Sequence, residues 1–199
     1  MNRRFALIAA LIAALVVPGT TSAATATVGV TDNRFTDENP TLALGGTVAW
    51  QRTSGGNPHT TTSDKFGGTA AGWDHPIPSG FVTATPEVTF DRAGGFDYHC
   101  QFHGMDGTVM VRLSPSDTTP NVGQQITITF ALSPAPSGFS EQVQKRKAGG
   151  TWRNLSAANT GTSVTWTPPR ARTFQFRARL VKGGVTSDWS PFLSLTVAP

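Results

Sequence analysis

One stretch of the chain concentrates groups able to hold a metal ion: Phe96-Asp97-Tyr98-His99-Cys100-Gln101-Phe102-His103-Gly104-Met105-Asp106-Gly107-Thr108-Val109-Met110-Val111. Cys100 is the only cysteine in 199 residues, and His103 and Met105 follow it closely. A thiolate, an imidazole and a thioether at this spacing form a soft donor set, which favours copper. Two imidazoles and a thiolate with a weak axial methionine are the donors of blue-copper sites. One imidazole is still missing, and Gly55-Gly56-Asn57-Pro58-His59-Thr60-Thr61, beyond a strand ending near Trp50-Gln51-Arg52, offers His59. Zinc is the competing ion, but structural zinc sites draw on closely spaced cysteine pairs, and this chain has a single cysteine.

Each of these residues also has an ordinary reading. A lone cysteine is most often a small buried side chain; the neighbours His103 and Met105 argue for a ligand. His59 by itself reads as a loop histidine. Met105 is either the axial ligand or a loop-filling side chain beside an empty axial position, and Met110 reads as strand packing. His75, in Trp73-Asp74-His75-Pro76, reads as a surface or packing residue. His99 stands on the parity opposite to Cys100 in an extended strand, so it points away from anything the sulfur holds.

The elements that must place these groups are strands. Thr25 to Val30 alternates, Thr31-Asp32-Asn33-Arg34 is a turn, and Leu42 to Trp50 is expected to be two short strands bent at Gly45-Gly46, with Leu42, Leu44, Val48 and Trp50 facing the core. Thr53 to Gly80 is expected to be a long connection opened by His59 and anchored by Phe66, Trp73 and Ile77. Strands are expected over Val82–Thr85 and Glu87–Phe90. Asp91-Arg92-Ala93-Gly94-Gly95 then turns the chain into the cysteine strand, and Thr108 to Leu113 closes the unit. Helical periodicity is absent.

Length and charge frame this unit. Arg3 and Arg4 precede an apolar run from Phe5 to Val17, then Pro18, Gly19 and small residues, so 1–23 reads as a signal peptide cleaved after Ala23. The run is too short to span a bilayer, no later stretch is apolar enough to do so, and no cysteine near the cleavage point offers a lipid anchor. The twin-arginine export pattern is matched poorly, because Phe5 follows the pair directly. In an oxidising compartment a lone thiol has no intramolecular partner, which again asks what Cys100 is for. Residues 24–113 carry 5 basic and 9 acidic side chains, whereas 114–199 carry 9 basic and 3 acidic. The change of sign supports a boundary at Leu113. Ser114 to Pro120 reads as a linker. Beyond it, Gln125 to Phe130, Gln142 to Lys147, Val164 to Trp166 and Leu193 to Val197 are strand-like, and Thr173 to Leu180 alternates most clearly, burying Phe174, Phe176, Ala178 and Leu180 and exposing Arg177 and Arg179.

Residues 24–113 resemble the cupredoxins, in particular their amicyanin- and plastocyanin-like members. The resemblance rests on Leu44-Gly45-Gly46-Thr47-Val48-Ala49-Trp50, the Pro58-His59 step, Ala93-Gly94-Gly95-Phe96-Asp97-Tyr98 and the Cys100 loop. It implies a Greek-key β-sandwich with one copper ion on His59, Cys100, His103 and an axial Met105. It also implies that the Thr60 amide hydrogen-bonds the sulfur and that electrons pass through His103. The loop neighbours Phe102, Gly104 and Met105 set His103 within a small apolar patch where a redox partner would dock, and Trp73 or Phe66 from the long connection is expected to widen it. One departure is visible: the family's short ligand loops leave two residues between histidine and methionine, and here only Gly104 intervenes. Residues 121–199, with Ser187-Asp188-Trp189-Ser190-Pro191, resemble a fibronectin type III or related immunoglobulin-like sandwich.

The expected fold class is therefore all-β, a cupredoxin sandwich followed by a second sandwich. The expected function is that of an exported, monomeric carrier of single electrons, secreted or periplasmic, and not an enzyme. Copper oxidases and nitrite reductases built on this fold need further histidine clusters, and only His75 and His99 remain. The competing reading is a copper storage or delivery protein attached through its second module. The basic second module suits anionic cell-envelope polymers, whereas no groove-reading motif points to nucleic acid.

Overall fold

The computed structural model of the protein describes residues 24–79 and 84–199. The expected signal peptide over Met1–Ala23 lies outside the described residues, as does the first half of the strand expected over Val82–Thr85. Its second half is not a strand: Ala84 makes an isolated bridge to Gln51, and Thr85 exchanges hydrogen bonds with Trp50. Every regular element described is a β-strand. Among the described residues no helix is long and apolar enough to cross a membrane.

The first module comprises β1 (Thr25–Val30), β2 (Phe35–Thr36), β3 (Thr41–Leu42), β4 (Gly46–Arg52), β5 (His59–Ser63), β6 (Asp74–Ile77), β7 (Val88–Phe90), β8 (Gly94–His99) and β9 (Asp106–Val111). They form two sheets, ordered β2-β1-β4-β7 and β3-β9-β8-β5-β6. Gly45-Gly46 does not close the hairpin expected from the sequence. β3 runs parallel to β9 in one sheet and β4 parallel to β1 in the other, so the turn carries the chain across the sandwich. Gly45, at φ 82°, supplies the left-handed corner this needs. Leu42 and Val48 then reach one core from opposite sheets.

The long connection expected over Thr53–Gly80 is also corrected, because it contains the antiparallel pair β5–β6. Thr60-Thr61-Thr62 is a β-branched run that favours extended backbone despite its polarity. Trp73 and Phe66 do not widen a surface patch. Both are buried: Trp73 stacks on Trp50 with centroids 5.6 Å apart and donates its Nε1–H to Thr61 Oγ1 at 3.0 Å, and Phe66 packs edge-on against Phe139. Burying rings of this size is worth more than any exposed contact, and the indole N–H is satisfied in place.

The second module comprises β10 (Ser114–Pro115), β11 (Ile126–Thr129), β12 (Phe139–Lys147), β13 (Arg153–Asn159), β14 (Ser163–Trp166), β15 (Thr173–Lys182), β16 (Val185–Thr186) and β17 (Leu193–Thr196). Its sheets are ordered β10-β11-β14 and β13-β12-β15-β16, with β17 also paired to β15. Phe176, Ala178 and Leu180 are fully buried, as the alternation of β15 requires, and Phe174 is half-buried. Arg177 and Arg179 are not exposed as expected but half-buried, because each stacks on tryptophan.

The modules meet along the start of β8. β5 pairs with β8 only at Tyr98 and His99, and near the other end Gly95 exchanges both backbone hydrogen bonds with Asp188 of the second module, at 2.9 and 3.0 Å. Leu180 and Phe139 pack into the first core, and Leu44 touches both cores. Arg92 and Glu141 are buried at this seam, 3.5 Å apart, and Arg92 Nη2 donates to Ser133 O, Ser133 Oγ and Pro134 O.

Candidate metal centre

Alternation along β8 buries Phe96 and Tyr98 and brings Cys100, just past its end, into the same interior. β5 is its neighbour, with Thr62 opposite His99, so the start of β5 brings His59 to the sulfur. The loop then folds back: the His103 N–H donates to Cys100 O, the Met105 N–H to His103 O, and the Cys100 N–H to Met105 O at 2.9 Å. This tight turn carries His103 over the sulfur, and it is closed by the same short spacing that separates His103 from Met105.

The resulting geometry is compact. One ligand atom each from His59, Cys100 and His103 lies within 4.8 Å of the others. Cys100 Sγ is 3.6 Å from His59 Nδ1 and 3.5 Å from His103 Nδ1. Those nitrogens face one point with the sulfur, and the two imidazole centroids are 4.6 Å apart. The Thr60 N–H donates to Sγ at 3.4 Å, the contact expected from the sequence. Thr60 Oγ1 in turn accepts from the Gln101 N–H at 2.9 Å, tying β5 to the cysteine loop. His59 and Cys100 are buried, His103 is half-buried, and Phe102 beside it is 62% exposed. The apolar patch at the mouth is therefore Phe102 itself.

Met105 is buried in the apolar cluster that holds Cys100. His99 is outside the group, as its parity requires: its Nδ1 pairs with Asp64 at the surface. His75 faces Thr61 across the β5–β6 pair and also takes no part.

Two residues that sequence reasoning passed over position the site. Asp32, read there only as part of a turn, accepts the Gly56 and Asn57 N–H groups at 3.1 and 2.9 Å, which hold its carboxyl below the ordinary carboxylate range. Its Oδ1 lies 3.6 Å from His59 Nε2, a buried nitrogen with no other partner. A carboxylate there favours the tautomer with the proton on Nε2, leaving the Nδ1 lone pair for the centre. Burial lowers the His59 pKa more than Asp32 raises it, with His103 and Arg52 adding to the fall, which favours the neutral ring, the form able to ligate. Arg52 is buried and donates to Asn57 O, Ile77 O and Pro78 O, tying the segment that leads into β5 to the end of β6 beside His59. Gly55, at φ 86°, lets the loop pass so close to Asp32 that any side chain would collide with the carboxylate. Only the Gly55-Gly56 pair hinted at this arrangement; a carboxylate from a remote turn leaves no local pattern.

No protein-family model and no curated protein matches the chain. Among solved structures it is similar to an oxidized amicyanin mutant at 27% identity, over 50% of this chain and 89% of that one, with a TM-score of 0.37. A reduced amicyanin mutant is 26% identical over 43% of this chain and 80% of that one (TM-score 0.36), and a reduced Cu(I) form of another mutant at pH 4 is 24% identical over the same shares (TM-score 0.35). The similarity spans up to about half the chain; the site described above is a His-Cys-His group able to hold a metal ion.

Proposed function

We propose that the protein carries single electrons through one copper ion held by His59, Cys100 and His103 with Met105 as axial ligand. The observation that carries this reading is the convergence of two imidazole Nδ1 atoms and one buried sulfur around a single point. When bound, copper supplies a reversible one-electron couple; this donor set suits it better than zinc. The chain's part is to hold the donors still. Two adjacent strands and a hydrogen-bonded turn fix them, and a donor set that does not move between oxidation states needs little reorganisation. The Thr60 N–H withdraws charge from the sulfur, and Asp32 orients His59. The half-buried His103 beside exposed Phe102 is where a redox partner docks. We assign the chain to export through 1–23, the second module to an immunoglobulin-like sandwich, and the protein to the electron carriers rather than the enzymes.

The test is spectroscopic. The mature chain, loaded with Cu(II), is expected to show intense blue or green absorption that reduction bleaches and reoxidation restores. A colourless complex overturns the reading. Fast electron self-exchange is expected of a carrier; slow exchange with tight Cu(I) retention assigns the site to storage or delivery instead.

Two substitutions refine the ligand set. Met105→Leu is expected to shift the reduction potential while copper still binds, because axial contacts tune potential more than affinity; an unchanged potential and spectrum would remove Met105 from the set. Asp32→Ala releases the Gly56 and Asn57 N–H groups and the Nε2 side of His59. Copper affinity should fall about 10–100-fold, as for other partners of metal-bound histidines. Competition titration with a chelator reads the change, and an unaltered affinity would show that Asp32 does not position His59.

A further inference from the structure

The outer face of β12 and β15 carries a column of six stacked side chains in the order Phe192, Arg146, Trp152, Arg177, Trp189, Arg179. Successive guanidinium-to-ring distances are 5.9, 4.3, 4.3, 4.1 and 4.3 Å. Each arginine stands opposite a glutamine on the facing strand: Arg146 opposite Gln175, Arg177 opposite Gln144, Arg179 opposite Gln142. The glutamine carbonyls accept the guanidinium protons at 2.7, 2.8 and 2.8 Å.

Opposite charges are the stabilising choice for such cross-strand pairs, and like charges in a column repel. Glutamate at Gln142, Gln144 and Gln175 would keep the same acceptor geometry and neutralise all three arginines. Glutamine at every one of these positions fixes the guanidiniums while leaving their charge in place. Among the described residues no carboxylate lies within ion-pairing distance of Arg146, Arg177 or Arg179. Of the three acidic residues of the second module, Asp117 binds Thr119 and Gln124, Glu141 is buried against Arg92 on the inner face, and Asp188, whose backbone pairs with Gly95 at the seam, makes no ion pair with the column.

We propose that this face is a docking surface for an acidic polypeptide segment of a partner protein. Charge complementarity demands an anion, and the rest of the face selects its class. Alongside the column runs a groove of about 460 Å³ that brings Met110 of the first module together with Trp152, Trp189, Pro191 and Phe192. Arginine, tryptophan, methionine and phenylalanine without lysine or acidic side chains make the composition of protein–protein interface cores. The tryptophan faces are covered by guanidinium groups, so they are closed to the stacking that sugar rings or nucleobases would use. Phe192, 54% exposed at the end of the column, offers an apolar contact that a peptide side chain can fill. Met110 pairs with Gly95, near the start of β8, roughly 17 Å of extended strand from Cys100. A partner bound here leaves the His103 face open, and the inference does not depend on the metal reading.

The experiment is fluorescence polarisation with the mature full-length chain and a short fluorescein-labelled peptide of glutamate and phenylalanine. Salt-dependent binding is expected, weakened about tenfold or more in the Q142E/Q144E/Q175E variant and several-fold in Phe192→Ala. The glutamates retain the acceptors that hold the column, and a melting midpoint no lower than that of the native chain confirms that the variant is folded. No binding at low salt overturns the proposal, as does undiminished binding by the triple variant. Polygalacturonate of matched charge should bind more weakly and be indifferent to Phe192→Ala. If it binds as tightly as the peptide, the face recognises charge alone and the proposal fails.

Discussion

The Cys100→Ser chain is expected to fold as the native chain does but to yield a Cu(II) complex without the intense visible absorption. The absorption belongs to the sulfur: only a thiolate has a donor level close enough to copper to absorb strongly in the visible, and Cys100 is the sole cysteine. Serine fits the site sterically, and its hydroxyl leaves the Thr60 N–H, which now reaches Sγ at 3.4 Å, facing a polar group and not an apolar one, so the fold should tolerate the change. The loss is therefore electronic and leaves the sandwich intact. Copper affinity should also fall, by more than the roughly 10–100-fold that loss of an outer partner costs, because a hard oxygen replaces the soft ligand. His99→Gln serves as the control. Its ring pairs with Asp64 on the far side of β8, so spectrum and affinity should be unchanged. A Cys100→Ser complex that kept its colour, or a His99→Gln complex that lost it, would refute the ligand assignment.

The contrast between Cys100 and Asp32 shows what the sequence could and could not reveal. Cys100, His103 and Met105 share one loop, so their chemistry is visible as spacing. The inward parity of Phe96, Tyr98 and Cys100 is visible as alternation. His59 needed only a strand placed beside β8. Asp32 acts from the turn after β1, and nothing local marks it. β5 was hidden because threonines carry no apolar alternation, and β13 because an edge strand with half-exposed residues need not alternate. The Gly45-Gly46 segment has a hairpin's composition, but whether a turn pairs its strands or passes them to opposite sheets depends on partners remote in sequence, here β9 and β1. The charge reversal at Leu113 pointed to two units, yet it gave no sign that Arg92 and Glu141 would be buried against each other where they meet.

That buried pair should give the largest stability effects in the molecule. Glu141 is fully buried with neither carboxylate oxygen hydrogen-bonded, and Arg92 stands 3.5 Å from it with Nε and Nη1 likewise unsatisfied. Burial pushes the Glu141 pKa from its ordinary 4.5 up to about 8, with the Arg92 charge opposing the rise. Between those values the folded chain holds a proton that the unfolded chain has released. Stability is therefore greatest at the acid end of this window and falls as pH rises through about 8, by an amount on the order of a few kcal/mol. Urea denaturation across this window reads the slope, and Glu141→Gln, which has no proton to lose, should flatten it. Above the window, Arg92→Met leaves the buried Glu141 carboxyl without its cation, costing about 3–5 kcal/mol, whereas Glu141→Leu leaves the guanidinium still paired with Asp91, whose Oδ1 is 3.5 Å from Arg92 Nε, and should cost less. The double variant removes both charges and should lie closer to the native chain than the two single losses sum to, retaining the loss of the Arg92 bonds to Ser133 and Pro134 and of its ion pair with Asp91. A pH-independent midpoint together with strictly additive losses would mean that the seam rests on its backbone bonds and shared core, with the two charges not coupled at all.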